Sequence, residues 1–211
     1  MAAAAEEGAA AATAEFDASE VEYVSYGGEH HLPLIMRLVD DELSEPYSIF
    51  TYRYFVYLWP QLCFLAFHKD KCVGTVVCKM GEHRHTYRGY IAMLVVIKAY
   101  RGKGIATELV SRSICVMKDS GCEEVTLEAE VTNKGALELY GRLGFIRAKR
   151  LFRYYLNGVD AFRLKLLFTQ PELHPSLVAA ACEEGDQFHD DNSPVDQLHP
   201  DVSRESNPHF A

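Results

Sequence analysis

Several kinds of pattern are missing from this sequence of 211 residues. It has six cysteines but no Cys-x-x-Cys pair, and most of them stand in apolar surroundings, which is typical of reduced intracellular cysteines. No apolar run approaches the roughly 20 residues of a membrane-spanning helix. The alanine-rich start lacks the basic segment of a secretory signal. We therefore expect a cytoplasmic protein without a membrane span.

Positive charge is scarce at both ends of the chain. Residues 1–20 carry five acidic side chains and no basic one, and residues 169–211 carry nine acidic side chains and one basic one. The segment 21–168 holds 20 basic and 16 acidic residues, with no dense basic stripe. We therefore expect no direct nucleic-acid site, although a phosphorylated ligand can be attracted locally. Residues 1–20 and 169–211 are predicted to be disordered acidic tails around one domain, 21–168.

Hydrophobic periodicity in that domain predicts the order β-α-α-β-β-β-α-β-α-β-β. The final hairpin is marked by Asn157-Gly158, and one helix is capped by Asn133 and ended by Gly144. This order predicts a mixed α/β sheet with antiparallel edges and one parallel crossover. The predicted strands are 21–26, 61–67, 72–80, 87–97, 123–130, 145–156 and 159–168, and the first three helices are 31–43, 48–58 and 105–117. A solvated loop is expected at 82–88, where His83 and His85 lack a third metal ligand.

A glycine-rich turn joins the central strand to the third helix. Its glycines let the backbone approach a phosphate, and a helix N-terminus offers free N–H groups and a positive dipole end. The turn is neither a Walker motif nor a dinucleotide fingerprint, because the spacing of both differs. On this pattern alone, an ordinary tight loop is the alternative.

Two motifs around this turn resemble the GNAT acetyltransferases. Arg101-x-x-Gly104-x-Ala106 is similar to the family's acyl-CoA motif, Gln/Arg-x-x-Gly-x-Gly/Ala. The second motif, Asn133 followed by Ala136-Leu137-x-Leu139-Tyr140-x-x-Leu143-Gly144-Phe145, resembles the helix that borders coenzyme A in that family. The resemblance covers residues 21–168. It implies the GNAT fold, a twisted mixed seven-stranded sheet flanked by about four helices, and it implies acetyl-CoA as acetyl donor without a metal.

Longer segments, at 43–49, 52–55, 88–94 and 151–158, resemble the catalytic subunits of NatC-type N-terminal acetyltransferases. This narrower resemblance implies acetylation of nascent proteins that keep their initiator Met before Leu, Ile, Phe or Trp. It also implies a large and a small auxiliary subunit and a place at the ribosome. One departure is Gly102-Lys103, where relatives often have an arginine and a polar residue. We expect that change to affect loop flexibility and phosphate contacts, not the reaction.

The resemblance also implies roles for single residues. In GNAT folds the fourth and fifth strands splay apart, and the pantetheine arm of the donor fills the space between them. The implied cofactor-binding residues are Leu94, Val95 and Val96 on the fourth strand, Arg101, Gly102, Lys103, Gly104, Ile105 and Ala106 in the turn, and Asn133 and Tyr140. Tyr140 also matches the tyrosine that approaches the thiol and would protonate the leaving thiolate. The alternative is an ordinary core tyrosine.

A base is needed because a free α-amino group, with a pKa of about 7.7–8.0, must lose its proton before it attacks. Glu128 aligns with the family position that supplies the base, and Glu130, two residues later on the same face, is the alternative. Glu128 as an ordinary solvent-facing carboxylate also stays open. Direct transfer in a ternary complex is expected, since neither Cys115 nor Cys122 has the surroundings of an activated nucleophile.

The peptide groove is implied to lie between the first interhelix loop and the last hairpin. The implied residues are Leu43, Glu45, Pro46 and Tyr47 on one wall, and Tyr90, Tyr154 and Tyr155 on the other. Tyrosines give such a groove apolar walls with hydroxyl groups. Two other functions remain open: a GNAT enzyme that acts on lysine or a small amine, and an inactive subunit that binds acyl-CoA.

Overall fold

The computed structural model describes residues 16–43 and 46–168. The predicted tails fall outside these ranges except for residues 16–20. Those residues include a short 3₁₀ turn at Ala18–Glu20, which is capped by Asp17 and leads directly into the first strand.

The order of the elements agrees with the order predicted from periodicity. The helices are α1 Leu32–Glu42, α2 Ile49–Leu58, α3 Ile105–Asp119 and α4 Lys134–Arg142. The strands are β1 Val21–Ser25, β2 Phe64–His68, β3 Lys71–His83, β4 Thr86–Val96, β5 Glu124–Glu130, β6 Ile146–Leu151 and β7 Ala161–Leu167. None of the helices in the described ranges is long and apolar enough to cross a membrane.

One sheet contains all seven strands in the order β1-β2-β3-β4-β5-β7-β6. Strands β4 and β5 run parallel, and every other neighbouring pair is antiparallel. The mixed sheet, the antiparallel edges and the single parallel crossover were all predicted, and they are confirmed.

Helices cover both faces of the sheet. On one face α3 and α4 bury Leu109, Met117 and Tyr140 against the strands. On the other face α1 and α2 bury Val39 and Tyr52. Tyr52 also donates a hydrogen bond of 2.7 Å to Asp40, so the two helices are joined beside the loop that connects them.

Local signals explain where the helices begin and end. The side chains of Ser48 and Asn133 accept hydrogen bonds from the first turns of α2 and α4, as N-caps do. Gly121 and Gly144, with φ of +85° and +89°, follow α3 and α4 in the left-handed conformation that favours glycine.

The predicted strand ends were wrong at three places. Strand β2 begins later than residue 61, because Pro60–Leu62 forms a 3₁₀ turn. The predicted loop at 82–88 is a two-residue turn at Arg84 and His85, both at positive φ, with paired strand residues on either side.

The last hairpin has the predicted Asn157-Gly158 turn but shorter strands. Strand β6 ends at Leu151 and β7 begins at Ala161. Arg153 has a φ of +47°, which interrupts an extended strand, and its N–H donates to the Asp160 carboxylate at 2.9 Å. Residues 152–160 therefore form a loop, and the tyrosines predicted for the strand lie in that loop.

Candidate active site

A gap opens in the centre of the sheet between β4 and β5. The two strands pair over only three residues each, from Arg88 opposite Glu124 to Tyr90 opposite Thr126. Immediately after Tyr90 along β4, Val77 of β3 pairs with Met93 and Cys78 pairs with Ile91, so Ala92 is an extra residue in β4. Such a β-bulge bends its strand and increases the local twist. The predicted splay is therefore present, and the bulge gives its physical cause.

Backbone direction decides which residues of β4 face the gap. Ile97 donates its N–H to Val73 of β3 at 3.0 Å. Because backbone groups alternate in direction along a strand, Val95 also faces β3, whereas Leu94 and Val96 direct their backbone toward β5. Of the three predicted pantetheine contacts, Leu94 and Val96 are thus the two whose backbone points into the gap.

The glycine turn lies where the gap reaches the start of α3. Gly102 and Gly104 have φ of +75° and +83°, and no heavy atom outside the adjacent residues lies within 4 Å of a Cβ built on either. In the described part of the chain, no hydrogen bond occupies the backbone N–H groups of Gly102, Lys103 and Gly104. Together with the N–H groups of Ile105 and Ala106 in the first turn of α3, they can hold an anion such as a pyrophosphate.

The two basic side chains of the turn have partners within the chain. The Arg101 guanidinium donates to the Glu42 carboxylate at 2.6 Å and to the Val96 carbonyl oxygen at 2.8 Å. The Lys103 ammonium lies 3.9 Å from the centre of the Phe16 ring. Both predicted phosphate contacts are therefore near the turn, but a phosphate would compete with these partners.

Glu128 lies on β5 beside the gap, and its side chain is only 6% exposed. One carboxylate oxygen, Oε2, accepts from the Tyr90 hydroxyl at 2.8 Å. The other, Oε1, accepts from Nε of Arg163 at 2.8 Å. The alternative of a solvent-facing carboxylate is therefore wrong. Glu130 accepts from Thr132 and from Asn157, at the outer end of the same strand.

Three predicted groove tyrosines gather around Glu128. The hydroxyl groups of Tyr90 and Tyr154 are hydrogen-bonded to each other, and the rings of Tyr154 and Tyr155 meet edge to face at 5.2 Å. Burial raises the pKa of all three tyrosines, and the negative charge of Glu128 raises each further. They therefore stay protonated at neutral pH and can act as hydrogen-bond donors.

The predicted wall on the interhelix loop is described in part. Leu43 and Tyr47 are half-buried beside the core of α1 and α2, and Pro46 is exposed. Tyr47 lies close enough to Tyr90, Tyr154 and Tyr155 to raise the pKa of each a little, in addition to the effects of burial and of the Glu128 charge. Glu45 lies outside the described residues.

Tyr140 approaches the gap from the opposite face of the sheet. It is buried on α4, packs edge to face on Phe145 at 5.3 Å, and shares a cluster with Leu127 and Ala129 of β5. Glu128 lies between those two residues on β5, so its side chain points to the other face. Burial, with a contribution from Cys78, raises the pKa of Tyr140 and keeps its hydroxyl protonated. The two predicted catalytic side chains can meet only through the gap.

Asn133 caps α4 with its side-chain oxygen, which accepts from the Ala136 N–H at 3.0 Å. The side-chain oxygen of Asn133 is therefore engaged in the cap. The predicted contact with the cofactor would be made by its side-chain amide nitrogen. The described residues contain no group of three or more side chains placed to hold a metal ion.

Sequence reasoning missed Arg163, the cation that binds Glu128. Arg163 stands directly opposite Glu128 in the pairing of β5 with β7. The only signal in the sequence is the polar alternation Arg163, Lys165 along β7, which shows that a cation faces β5 on that side but not which carboxylate it meets.

The geometry agrees with the results of sequence comparison. The sequence profile of the acetyltransferase (GNAT) family matches residues 32–145. The chain belongs to the GNAT acetyltransferase family. Within it, N-alpha-acetyltransferase MAK3 of Arabidopsis thaliana is 81% identical over 159 residues, which cover 75% of this chain and 84% of that protein. N-alpha-acetyltransferase 30 of Homo sapiens is 59% identical over 147 residues, 69% of this chain but only 41% of the human protein.

A solved structure supports the same similarity of this GNAT chain to N-alpha-acetyltransferases. A protein of the NatC complex bound to Gag peptide and CoA is 46% identical, with a TM-score of 0.69, over 71% of this chain and 99% of that one. A more distant structure, Arabidopsis thaliana Naa50 with a bisubstrate analogue, is 23% identical with a TM-score of 0.65 and supports the fold alone. The predicted GNAT fold and the similarity to NatC catalytic subunits are thus confirmed.

Proposed function

We propose that this GNAT protein is the catalytic subunit of a NatC-type N-alpha-acetyltransferase. It transfers acetyl from acetyl-CoA to the N-terminal amine of proteins. The observation that carries this proposal is Glu128 beside the β4–β5 gap, with a side chain only 6% exposed, bound by Tyr90 and flanked by the tyrosines of the last hairpin. The high identity with two N-alpha-acetyltransferases and the neighbour from a NatC complex give the same reaction class.

The open gap and the glycine turn fit coenzyme A. The backbone of Leu94 and Val96 can pair with the amides of a pantetheine arm, as a neighbouring strand would. The free N–H groups at residues 102–106 can bind its pyrophosphate. When bound, acetyl-CoA supplies the activated acetyl group as a thioester.

Glu128 and Tyr140 then have complementary tasks. Glu128 accepts the proton of the attacking amine, directly or through one water molecule. Tyr140, which stays protonated because it is buried, donates a hydrogen bond to the departing thiolate from the other face. No acyl-cysteine is needed. Burial raises the pKa of the Cys122 thiol to about 11, so the thiolate that such a route requires would be scarce.

The preferred substrates are proteins with a retained Met followed by Leu, Ile, Phe or Trp. Tyr47, Tyr90, Tyr154 and Tyr155 make an aromatic groove that suits an extended peptide with apolar first side chains. The same tyrosines narrow the approach to Glu128, which disfavours an internal lysine. A lysine or small-amine acetyltransferase is the second candidate. The open gap between β4 and β5 would hold the acetyl donor of such an enzyme equally well.

Association with a large and a small auxiliary subunit, at the ribosome in the cytoplasm, belongs to the same proposal. The exposed apolar side chains of α2, Phe50, Tyr57 and Leu58, support a protein contact there. The acidic segments 1–20 and 169–211 are the other candidate contacts. Loss of co-purification after their deletion would support them, and undiminished binding would count against them.

The test is acetyl-CoA turnover by the full-length chain on four matched peptides. They begin Met-Leu, Met-Glu and Ser-Ser, and the fourth has a blocked N-terminus and an internal lysine. We expect turnover of the Met-Leu peptide alone. Glu128→Gln is expected to lower kcat by about 10²–10⁴-fold, the usual contribution of a general base. Tyr140→Phe is expected to lower kcat with a smaller change in KM.

Three results would contradict parts of the proposal. Acetylation of the blocked lysine peptide would replace it with the lysine acetyltransferase. Wild-type turnover in Glu128→Gln would remove Glu128 as the base. If no peptide is acetylated, the chain is tested again with co-expressed auxiliary subunits, and continued inactivity would favour an inactive acyl-CoA-binding subunit.

A further inference from the structure

The two oxygens of the Glu128 carboxylate are bound from two different strands. Oε2 accepts from Tyr90 on β4, and Oε1 accepts from Arg163 on β7, both at 2.8 Å. Glu128 itself lies on β5, between the two. A carboxylate that accepts hydrogen bonds at both oxygens cannot rotate about its Cγ–Cδ bond without losing one of these contacts. Its orientation toward the gap is therefore fixed by the sheet.

Arg163 supplies the cation in this arrangement. Glu128 is 6% exposed, and burying a carboxylate without a cation is costly. Tyr90 alone cannot compensate for this cost, since it is a neutral donor held in the protonated form by burial. The Arg163 guanidinium, 29% exposed, forms a charge-assisted hydrogen bond with the carboxylate.

Charged and titratable side chains reach Glu128 and its tyrosine neighbours from several elements. They are Tyr90 from β4, Tyr154 and Tyr155 from the last hairpin, Tyr47 from the interhelix loop, Arg163 from β7, and Lys79 from β3, whose ammonium lies 5.8 Å from the centre of the Tyr90 ring. Arg163 binds the Glu128 carboxylate itself, through a hydrogen bond of 2.8 Å.

We propose that Arg163 is the positioning residue of the reaction, which aims the Glu128 carboxylate into the gap. The proposal rests on the proposed function, because it presupposes that Glu128 is the base. Arg163 acts through Glu128 and does not itself contact the reacting atoms. Its loss should lower turnover without weakening peptide binding.

The same strand provides a matched control. Lys165 lies two residues after Arg163 on the same face of β7, and its ammonium binds the Glu124 carboxylate at 2.8 Å. Lys165 is 28% exposed and Glu124 is 6% exposed, which matches the Arg163–Glu128 pair. Removal of Lys165 therefore breaks an ion pair of the same exposure away from the proposed base, while Arg88 still binds Glu124.

The test is a double-mutant cycle in the full-length chain with the Met-Leu peptide. Arg163→Gln is expected to lower kcat by about 10–100-fold, within the range of a misplaced general base, while KM changes by less than about threefold. In a Glu128→Gln background the same change should alter the residual turnover by less than about threefold, because a residue that acts through Glu128 has nothing left to position. Lys165→Gln should change kcat by less than about threefold in either background.

Arg163→Lys separates charge from geometry. Lysine keeps the positive charge but lacks the planar guanidinium, so kcat should fall by only about 3–10-fold, and this fall should also vanish in the Glu128→Gln background. If thermal unfolding shows that Arg163→Gln does not fold, the lysine variant decides the question by the same comparison. Wild-type turnover in Arg163→Lys would then overturn the proposal.

Three further results would overturn it. Losses from Arg163→Gln and Glu128→Gln that multiply would show that the two residues act independently. A raised KM with unchanged kcat would make Arg163 a peptide-binding residue. An equal loss of kcat in Lys165→Gln would reduce the effect to general damage to the sheet. Wild-type turnover in Glu128→Gln is distinct from all three, because it removes the proposed base itself.

Discussion

At the scale of the residue, Gly89 shows how closely the centre of the sheet is packed. It lies on β4 directly before Tyr90, and a Cβ at this position would lie 2.4 Å from the sulfur of Met117, which is fully buried on α3. Such a distance is shorter than any normal contact, so a larger residue must displace the Met117 side chain or move β4 away from α3.

We predict that Gly89→Ala lowers the free energy of unfolding by about 1–3 kcal/mol, the usual cost of overpacking. Urea unfolding of the full chain measures it. Gly81→Ala on β3 is the matched control, because a Cβ there meets no atom within 4 Å. Equal stability of the two variants would show that Met117 repacks without cost.

Single residues also show what sequence reasoning could reach. Glu128, Tyr90, Tyr154 and Tyr140 were predicted through the family resemblance, and in the structure they lie on the elements around one gap. Arg163 was missed because its partner depends on the register of β5 with β7, and register is not visible in either strand alone.

At the scale of the element, an ion-pair network ties β4, β5 and β7 together at the closed end of the gap. The Glu124 carboxylate of β5 accepts hydrogen bonds from Arg88 of β4 and from Lys165 of β7. Burial opposes ionisation of Glu124, but the two cations outweigh it and hold the pKa of this carboxyl below its ordinary value. The network stabilises the three-residue contact that closes the gap at this end.

The sign of the pH dependence follows from that lowered pKa. Glu124 stabilises the fold above the ordinary glutamate pKa of 4.5, and this contribution is lost as the pH falls through the lower pKa of the folded state. We predict that Glu124→Gln costs about 2 kcal/mol at pH 7, and that its difference from wild type shrinks as the pH falls below the ordinary glutamate pKa of 4.5. Urea unfolding at pH 7 and at a series of acidic pH values measures it. A difference that stays constant with pH would show that the carboxylate charge is not what stabilises this contact.

Element order was predictable, but the ends of the last two strands were not. Asn157-Gly158 correctly marks the hairpin, because this pair favours a tight turn. The strands stop earlier because Arg153 adopts a positive φ and Asp160 binds its N–H, and both depend on the folded loop. The loop carries Tyr154 and Tyr155 away from the sheet and toward Tyr90.

At the scale of the whole molecule, the sheet consists of two parts joined by little backbone pairing. Strands β1 to β4 form one part, and β5, β7 and β6 form the other, with three paired residues on each side of the junction. A pantetheine arm between them would add hydrogen bonds to Leu94 and Val96. Donor binding should therefore link the two parts.

We predict that CoA slows amide hydrogen exchange at Leu94 and Val96 and raises the unfolding temperature of the full chain. At 100 times its Kd, a ligand that binds only the folded state adds about 2.7 kcal/mol of stability. Adenosine 3′,5′-bisphosphate, which lacks the pantetheine arm, is the control and should protect the turn at 102–104 but not the two strand residues. Equal protection of Leu94 and Val96 by both ligands would contradict a pantetheine position in the gap.

Because Glu128 and Tyr140 lie on opposite faces of the sheet, we expect two separate routes to the gap. The peptide would enter on the side of the tyrosine groove, and acetyl-CoA would enter on the side of α3 and its glycine turn. Each product would then leave along the route by which its substrate entered. Accumulated free CoA would block the entry of acetyl-CoA but leave the peptide route open, so CoA should inhibit competitively toward acetyl-CoA and not toward the peptide.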